Sequence, residues 1–350
     1  MLVMLFRTLR IGLVVVAGCF VALQSVSALA QPDTAQPTRS PAQFGQPERT
    51  SPHLIEGRYA MPAVAVGTDI YVVEGLARAE LRSDLERIDT TSAPAKVTSI
   101  PTQLKPRCFH TAEAKGPYIY VIGGNTQEGI TAEVERFDTR DGSIKAMAPL
   151  PLALRAMASV IIGDKIYVVG GANNEGARVD NLLIYDIATD TWKAGAPLPE
   201  KKECELVPWQ GGLLAIGGYL GPAGLAAGGK DISAAVHRYD IATNTWSALP
   251  SLPTPTSGHH ALVVSDAKGH EQIVSFGDYV QPSRFISGNP IKGDWHDVKG
   301  IKFLPRRHNA VVEVKGNIYV IGGSTSDGDS YLDFIQIFDR KMIEGIPKGF

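Results

Sequence analysis

Short apolar runs rich in β-branched and aromatic residues recur along the chain, and the stretch from Arg155 to Gly171, RAMASVIIGDKIYVVGG, shows their form. Ala158-Ser-Val-Ile-Ile162 and Ile166-Tyr-Val-Val169 flank the turn-prone Gly163-Asp164-Lys165, which predicts a β-hairpin. Both predicted strands are apolar almost throughout. Strict alternation would mean one wet face, so a continuous run predicts strands covered on both sides, as when small sheets stack face to face. After Gly170-Gly171 come a loop, a third strand at Leu182–Asp186, a turn at Ile187–Thr191 and a fourth strand opening on Trp192. Pro197-Leu-Pro199 then breaks the sheet and starts the next unit. The first glycine of the closing pair, or its stand-in, falls at Glu74, Gly123, Gly170, Gly217, Gly277 and Gly322, in steps of 49, 47, 47, 60 and 45. A period near fifty predicts an array of stacked units.

A GG pair, a Tyr-Asp some sixteen residues on and a Trp six further resemble the kelch repeat. YDIATDTW (185 to 192) and YDIATNTW (239 to 246) are nearly one string, and Arg136-Phe137-Asp138 and Ile337-Phe338-Asp339 hold the same place in other units. The resemblance implies an all-β fold, a six-bladed kelch β-propeller of four-stranded antiparallel blades. The blades are expected near 58–106, 107–154, 155–202, 203–256, 257–305 and 306–350. Unit one has Glu74-Gly75 for the pair, unit four carries a Gly/Ala-rich insertion from Tyr219 to Ala235, and unit five has Gly277-Asp278. The ring can close in two ways: Met342 to Pro347 completes the last blade, or His53-Leu-Ile-Glu56 pairs with it and fastens the chain ends together.

Arg7 and Arg10, the apolar run Ile11 to Leu23 and Ala28-Leu29-Ala30 predict a signal peptide over residues 1–30. Val16-Ala-Gly-Cys19 offers a lipoprotein alternative, but a cut there would leave an apolar segment where a polar tether is expected. Residues 31–53, rich in Pro, Gln and Thr, read as a flexible linker, with the propeller over 54–350. The expected location is therefore the periplasm or outside the cell, with no membrane span after cleavage. Without the leader, 32 Lys and Arg face 36 Asp and Glu, and no basic run remains, which argues against nucleic acid. Cys108 and Cys204 fall in units two and four with a blade between them, beyond the about 7 Å that a disulfide tolerates, so both are expected to stay unpaired.

Strand one leaves a rim of the propeller and strand two returns to it, which gathers the candidate residues on one face. Arg58, Arg107, Arg155 and Arg306 open strand one in four units and would make a positive funnel for a carboxylate, phosphate or sulfate. The competing reading, which the copying of structural residues in repeats favours, is that each arginine is neutralised by a neighbouring acid. Glu74, Tyr279, His259 and His308 break the repeat on the same face, and difference within a repeat points to function. No metal or cofactor motif is present, and none is expected.

FGDYVQPSR, with Asp278 and Arg284, resembles a pattern in bacterial sialic-acid mutarotases (N-acetylneuraminate epimerases), where a Gly-Glu is followed six residues on by an Arg. That resemblance implies catalytic roles for Asp278 and Arg284 in sugar-ring opening, with Asp one methylene shorter than the family's Glu. The leading expectation is a ligand-binding or protein-interaction module for a glycan or acidic small molecule, or for a protein partner. The alternative is a sugar mutarotase.

Overall fold

The computed structural model describes residues 52–222, 231–265, 269–325 and 331–341. The expected signal peptide, all of the expected linker but Pro52 and His53, and Met342 to Pro347 lie outside them. The described chain is a six-bladed β-propeller. Blade one is built from Ala63–Val66, Asp69–Val73, Asp84–Asp89 and Lys96–Pro101, and blade three from Ala158–Ile162, Lys165–Val169, Leu182–Asp186 and Thr191–Ala194. Five sheets have four antiparallel strands each, adjacent in chain order, and the sixth has three, Ala310–Val314, Asn317–Ile321 and Ile335–Asp339. The first strands of neighbouring blades pack side by side round the axis, with the sixth against the first.

The apolar runs find their cover between blades. Ile70 and Val72 point into a core shared with Tyr319, Ile321 and Ile335 of blade six, whereas Tyr71 and Val73 point into one shared with Ile119, Val121 and Phe137 of blade two. A strand alternates its side chains between two faces, and here both faces are dry. Six such cores occur among the described residues, one at each blade boundary.

The YDIATDTW string is a clamp across one of those boundaries. The Tyr185 hydroxyl donates to Asp190 Oδ1 (2.5 Å), the same oxygen accepts from the Ala148 amide of the previous blade (2.8 Å), and Trp192 Nε1 donates to the Ala148 carbonyl (2.8 Å). Tyr239, Asn244 and Trp246 repeat the three bonds on Ala196. Asp190 and Asn244 sit at φ of 54° and 56°, a region that Asp and Asn enter more readily than most residues. Asp and Asn can alternate there because only the accepting oxygen is used.

Closure follows the second of the two routes. His53 bridges Phe334, the Leu54 amide donates to the Asp333 carbonyl (2.6 Å), and the Ile335 amide donates to the Pro52 carbonyl (3.1 Å). The segment is also tied to blade one, because Glu86 accepts from the amides of Ile55 (2.7 Å) and Glu56 (3.3 Å). Cys108 and Cys204 form no disulfide with each other, and burial pushes the Cys204 thiol up to about 12. No helix among the described residues is long and apolar enough to cross a membrane.

Because Leu54 is buried in the core between blades six and one, deleting residues 31–56 should lower the melting temperature by roughly 5 °C or more, at about 2–4 °C per kcal/mol. Differential scanning calorimetry checks this, and an unchanged midpoint would mean that the fastening carries no stability.

Candidate functional site

Each blade is entered by three residues with distinct tasks. In the first, Arg58, Arg107, Leu154, Lys202 and Thr256, the carbonyl accepts from the second glycine of the preceding blade: Gly323, Gly75, Gly124, Gly171 and Gly218, at 2.8 to 3.0 Å. The second, such as Tyr59, Cys108, Arg155 or Arg307, bridges the residue after the glycine pair of its own blade. The third, Ala60, Phe109, Ala156 or His308, has φ near +50°. Its amide is passed round the axis: Ala60 to the His308 carbonyl, Phe109 to Ala60, Ala156 to Phe109 and His308 to Gly258, at 2.7 to 3.2 Å.

This register corrects the positive funnel. Arg58, Arg107 and Arg306 belong to the first position and are fully buried, so their side chains run back into the blade. Nη1 of each donates to the carbonyl of the first glycine position, at Glu74, Gly123 and Gly322 (3.0 to 3.2 Å), and Nε to the carbonyl two residues upstream. Arg58 is neutralised by Asp84 and Glu86, and Arg107 by Glu135. Gln336 takes the corresponding place in blade six, so Arg306 meets no carboxylate among the described residues, and burial brings it down to about 9. Arg155 belongs instead to the second position and does face the mouth; Leu154 is the true counterpart of Arg107.

Asp278 and Arg284 are rewired parts of the same scaffold. The Gly277 amide donates to the Arg284 carbonyl (2.8 Å) as the Glu74 amide does to Asp84 (3.1 Å), so Arg284 stands where blade one has the acid and Thr256 where it has Arg58. Arg284 Nη1 bonds Thr256 Oγ1 (2.8 Å) and Asp278 Oδ2 (3.0 Å). Asp278 Oδ1 accepts from the amides of Ser257 and Val280, both at 3.3 Å. Both carboxylate oxygens are therefore engaged, and Asp278 is fully buried.

Glu74 and His259 are withdrawn as well. Glu74, at φ 52°, is fully buried and lies 3.6 Å from Arg107 Nε and 3.7 Å from His110 Nε2. Burial pushes its carboxyl well up, against the pull of Arg107, and pushes the His110 imidazole well down. Neither ring nitrogen of His259 has a hydrogen-bond partner among the described residues, and burial lowers its pKa.

What does line the mouth is Arg155, Tyr279 and His308 of the expected residues, with Tyr59, Phe109, Arg178, Glu203, Tyr219, Arg307 and Tyr331. Tyr59 and Tyr331 stack at 5.4 Å. The His308 ring meets Phe109 at 5.7 Å and Tyr279 at 5.8 Å edge-on, and Tyr59 at 6.2 Å. Arg307 lies 4.2 Å over Tyr279, Arg155 5.8 Å from Phe109, and Arg178 4.8 Å over Tyr219. Arg178 Nη2 pairs with Glu203 Oε1 at 3.0 Å, whereas Arg155 and Arg307 hold no carboxylate within 4 Å among the described residues. Burial raises Glu203 despite Arg178 and Arg155, and holds His308, beside Arg307, neutral at about 4. Most of the missed residues are second-position side chains or their bridging neighbours. Their signal was present in the variation Tyr, Cys, Arg, Glu, Arg one place after the copied opener.

Such a propeller, with its glycine pairs and Tyr-Asp-Trp strings, defines a kelch-type fold. Residues 60–277 match the family described as the KLHDC2/KLHL20/DRC7 Kelch-repeats domain, and the chain belongs to the kelch-repeat family. It is 27% identical over 126 residues to Kelch-like protein 35 of Mus musculus, covering 36% of this chain and 20% of that protein. It is 24% identical over 200 residues to Beta-scruin of Limulus polyphemus, covering 55% and 21%. The chain thus spans about a fifth of the length of these relatives. Among solved structures it is similar to one titled "Structure of YjhT", with TM-score 0.67 and 16% identity over 83% of this chain and 99% of that one, a likeness of fold. Kelch propellers are protein-interaction modules, and this chain shares their architecture.

The unpaired buried Arg306 gives a direct check on the scaffold reading. Gln336→Glu supplies the acid that Glu86 and Glu135 supply elsewhere, and should raise stability at pH 7 by about 1–3 kcal/mol. Urea unfolding measures it; a loss of stability would mean that Arg306 is not held as Arg58 and Arg107 are.

Proposed function

We propose that the chain is an exported binding protein whose mouth at the blade entries takes an acidic ligand: a glycan, an acidic small molecule, or an acidic segment of a protein partner. The observation that carries this reading is the pair Arg155 and Arg307, partly exposed and without a carboxylate partner among the described residues, beside the rings of Phe109 and Tyr279. A guanidinium offers two parallel donors to a carboxylate, and aromatic faces suit the C–H face of a sugar or an apolar side chain. Leu220 and Val280, next in sequence to mouth tyrosines, are 39% and 52% exposed and give a partner an apolar rim. Export rests on the leader at residues 1–30 and is tested by sequencing the mature N-terminus, expected at Gln31.

A mutarotase remains the alternative, and it would need an acid–base group free to meet the sugar. Asp278 and Arg284 are committed to one another and to the backbone, which favours binding over catalysis. Anomer exchange of N-acetylneuraminate followed by NMR separates the two: acceleration by the protein, lost in Asp278→Asn, would restore the enzyme.

An array of acidic and neutral glycans, together with acidic peptides, should show retention of an acidic class. Charge reversal at Arg155 and Arg307 together should weaken it by about a hundredfold or more, at about 1.5–3 kcal/mol for each charge-assisted contact. Retention unchanged in the double variant would reject the mouth as the site.

A further inference from the structure

The two cations of the mouth stand on opposite sides of the axis. Arg155 enters blade three and Arg307 blade six, which face each other in a closed ring of six. Ala60, Phe109, Ala156 and His308 hand one backbone hydrogen bond from entry to entry round the axis. Hydrogen-bonded neighbours of extended chain lie about 4.8 Å apart, so opposed corners of that hexagon are about 10 Å apart. Arg155 and Arg307 stand outside the circle, because each bridges outward to its own blade, at Ala172 and Ser324. Their guanidinium groups lean sideways and not across: Arg155 toward Phe109 of blade two (5.8 Å), and Arg307 over Tyr279 of blade five (4.2 Å). Blades two and five are opposed as well, so the two charges stay apart.

Rings fill the space between them. The His308 ring meets Phe109 at 5.7 Å and Tyr279 at 5.8 Å, both edge-on, and Tyr59 closes on Phe109 at 6.1 Å. From Arg155 through Phe109, His308 and Tyr279 to Arg307 there are four contacts of 4.2 to 5.8 Å, so the charges are about 10–22 Å apart. Burial, with Arg307 alongside, holds His308 neutral at about 4, so the ring floor adds no third charge. A paired carboxylate carbon lies about 4 Å from the guanidinium carbon, so one carboxylate joins two arginines only within about 8 Å. It can hold Arg155 or Arg307, but not both.

We propose that the ligand is an elongated dianion: a linear acidic oligosaccharide with two charged sugars separated by an uncharged one. Each carboxylate sits on one arginine, and the middle sugar lies on the rings. This inference rests on the binding reading above and narrows it. The state of the backbone favours a sugar over a peptide. The amides and carbonyls of Tyr59, Arg155 and Arg307 are paired with those of Leu76, Ala172 and Ser324, and the amides of Ala60, Phe109, Ala156 and His308 are spent round the axis. An extended peptide laid across the mouth finds no strand partner in these groups for its own backbone, and an unmet amide at an interface is costly. A sugar needs only side chains here, rings for its C–H faces and a guanidinium for its carboxylate.

Hyaluronan oligosaccharides carry a carboxylate on every second sugar and serve as probes in titration calorimetry. The tetrasaccharide, with two carboxylates, should bind about a hundredfold or more tighter than the disaccharide, with one, because its second contact forms within one complex. Arg155→Ala and Arg307→Ala should each bring the tetrasaccharide down to the affinity of the disaccharide. Equal binding of the two oligosaccharides, or a loss in only one of the arginine variants, would overturn the inference. The mouth reading would survive that result wherever charge reversal at both arginines still abolished binding. Tighter binding of a peptide with two glutamates joined by four prolines, about 16 Å apart at about 3.1 Å per residue, would overturn the sugar in favour of a protein partner. Binding by none of these probes would also overturn the inference, while the mouth reading stands or falls on the array.

Discussion

The backbone hydrogen bond from the second glycine of one blade to the entry carbonyl of the next is the constraint on which the rest of the propeller depends. It fixes how closely successive blades approach and sets the level at which every mouth residue stands. The donor glycines have φ from 96° to 119°, beyond the left-handed well that residues with a Cβ can reach. A Cβ at Gly218 would lie 2.0 Å from the Glu203 carbonyl, and one at Gly171 2.6 Å from that of Arg155. The first glycine is different. Its φ of 56° to 64° in blades two, three, four and six is one an L residue can adopt at a cost, and Glu74 does so in blade one. Blade five gives up the second glycine altogether: Asp278 holds the Ser257 amide with its side chain, and Arg284 and Thr256 change places with the usual acid and base to keep it there.

How much was legible follows from which features are copied. The glycine pairs, the apolar runs and the Tyr-Asp-Trp string recur because each blade must solve one packing problem, so period, strand count and ring size could be read directly. The closing strand could not be chosen between two candidates, because one bridge at His53 and two flanking backbone bonds leave no apolar alternation to read. The arginines misled by one place. Arg155 lines up by eye with Arg58 and Arg107 because RAM, RYAM and RCFH all begin with Arg, yet the hydrogen-bond register puts Leu154 in that role. A shift of one residue moves a side chain from the blade interior to the mouth.

The repeat also explains why the openers are structural. Arg58 is opposed by Glu86 and Arg107 by Glu135, each acid one cross-strand step from a valine, Val72 and Val121. The same step in blade three is Val168 opposite Leu183, and there the opener is Leu154. Charge is matched by charge and oil by oil within one chain. Blade four keeps a cation, Lys202, and answers it with Glu200 at 2.8 Å from a different position. Breaking one partner of such a buried pair strands the other charge, and that is costly, so the pairs vary together.

The mouth residues obey no such rule, and that is the physical case for function there. Tyr59, Cys108, Arg155, Glu203 and Arg307 share one backbone role, a bridge that any side chain can make, so packing does not dictate their identity. Arg155 and Arg178 nonetheless both act on one acid, Glu203. Arg178 and Glu203 settle one charge between them, which leaves Arg155 and Arg307 over aromatic rings in a chain that is acidic overall. Nothing in the scaffold needs these cations, since Tyr59 and Cys108 show that the same bridging position can be filled without charge. Cations that the fold does not require, and that no carboxylate among the described residues meets, stand ready to pair with an incoming anion.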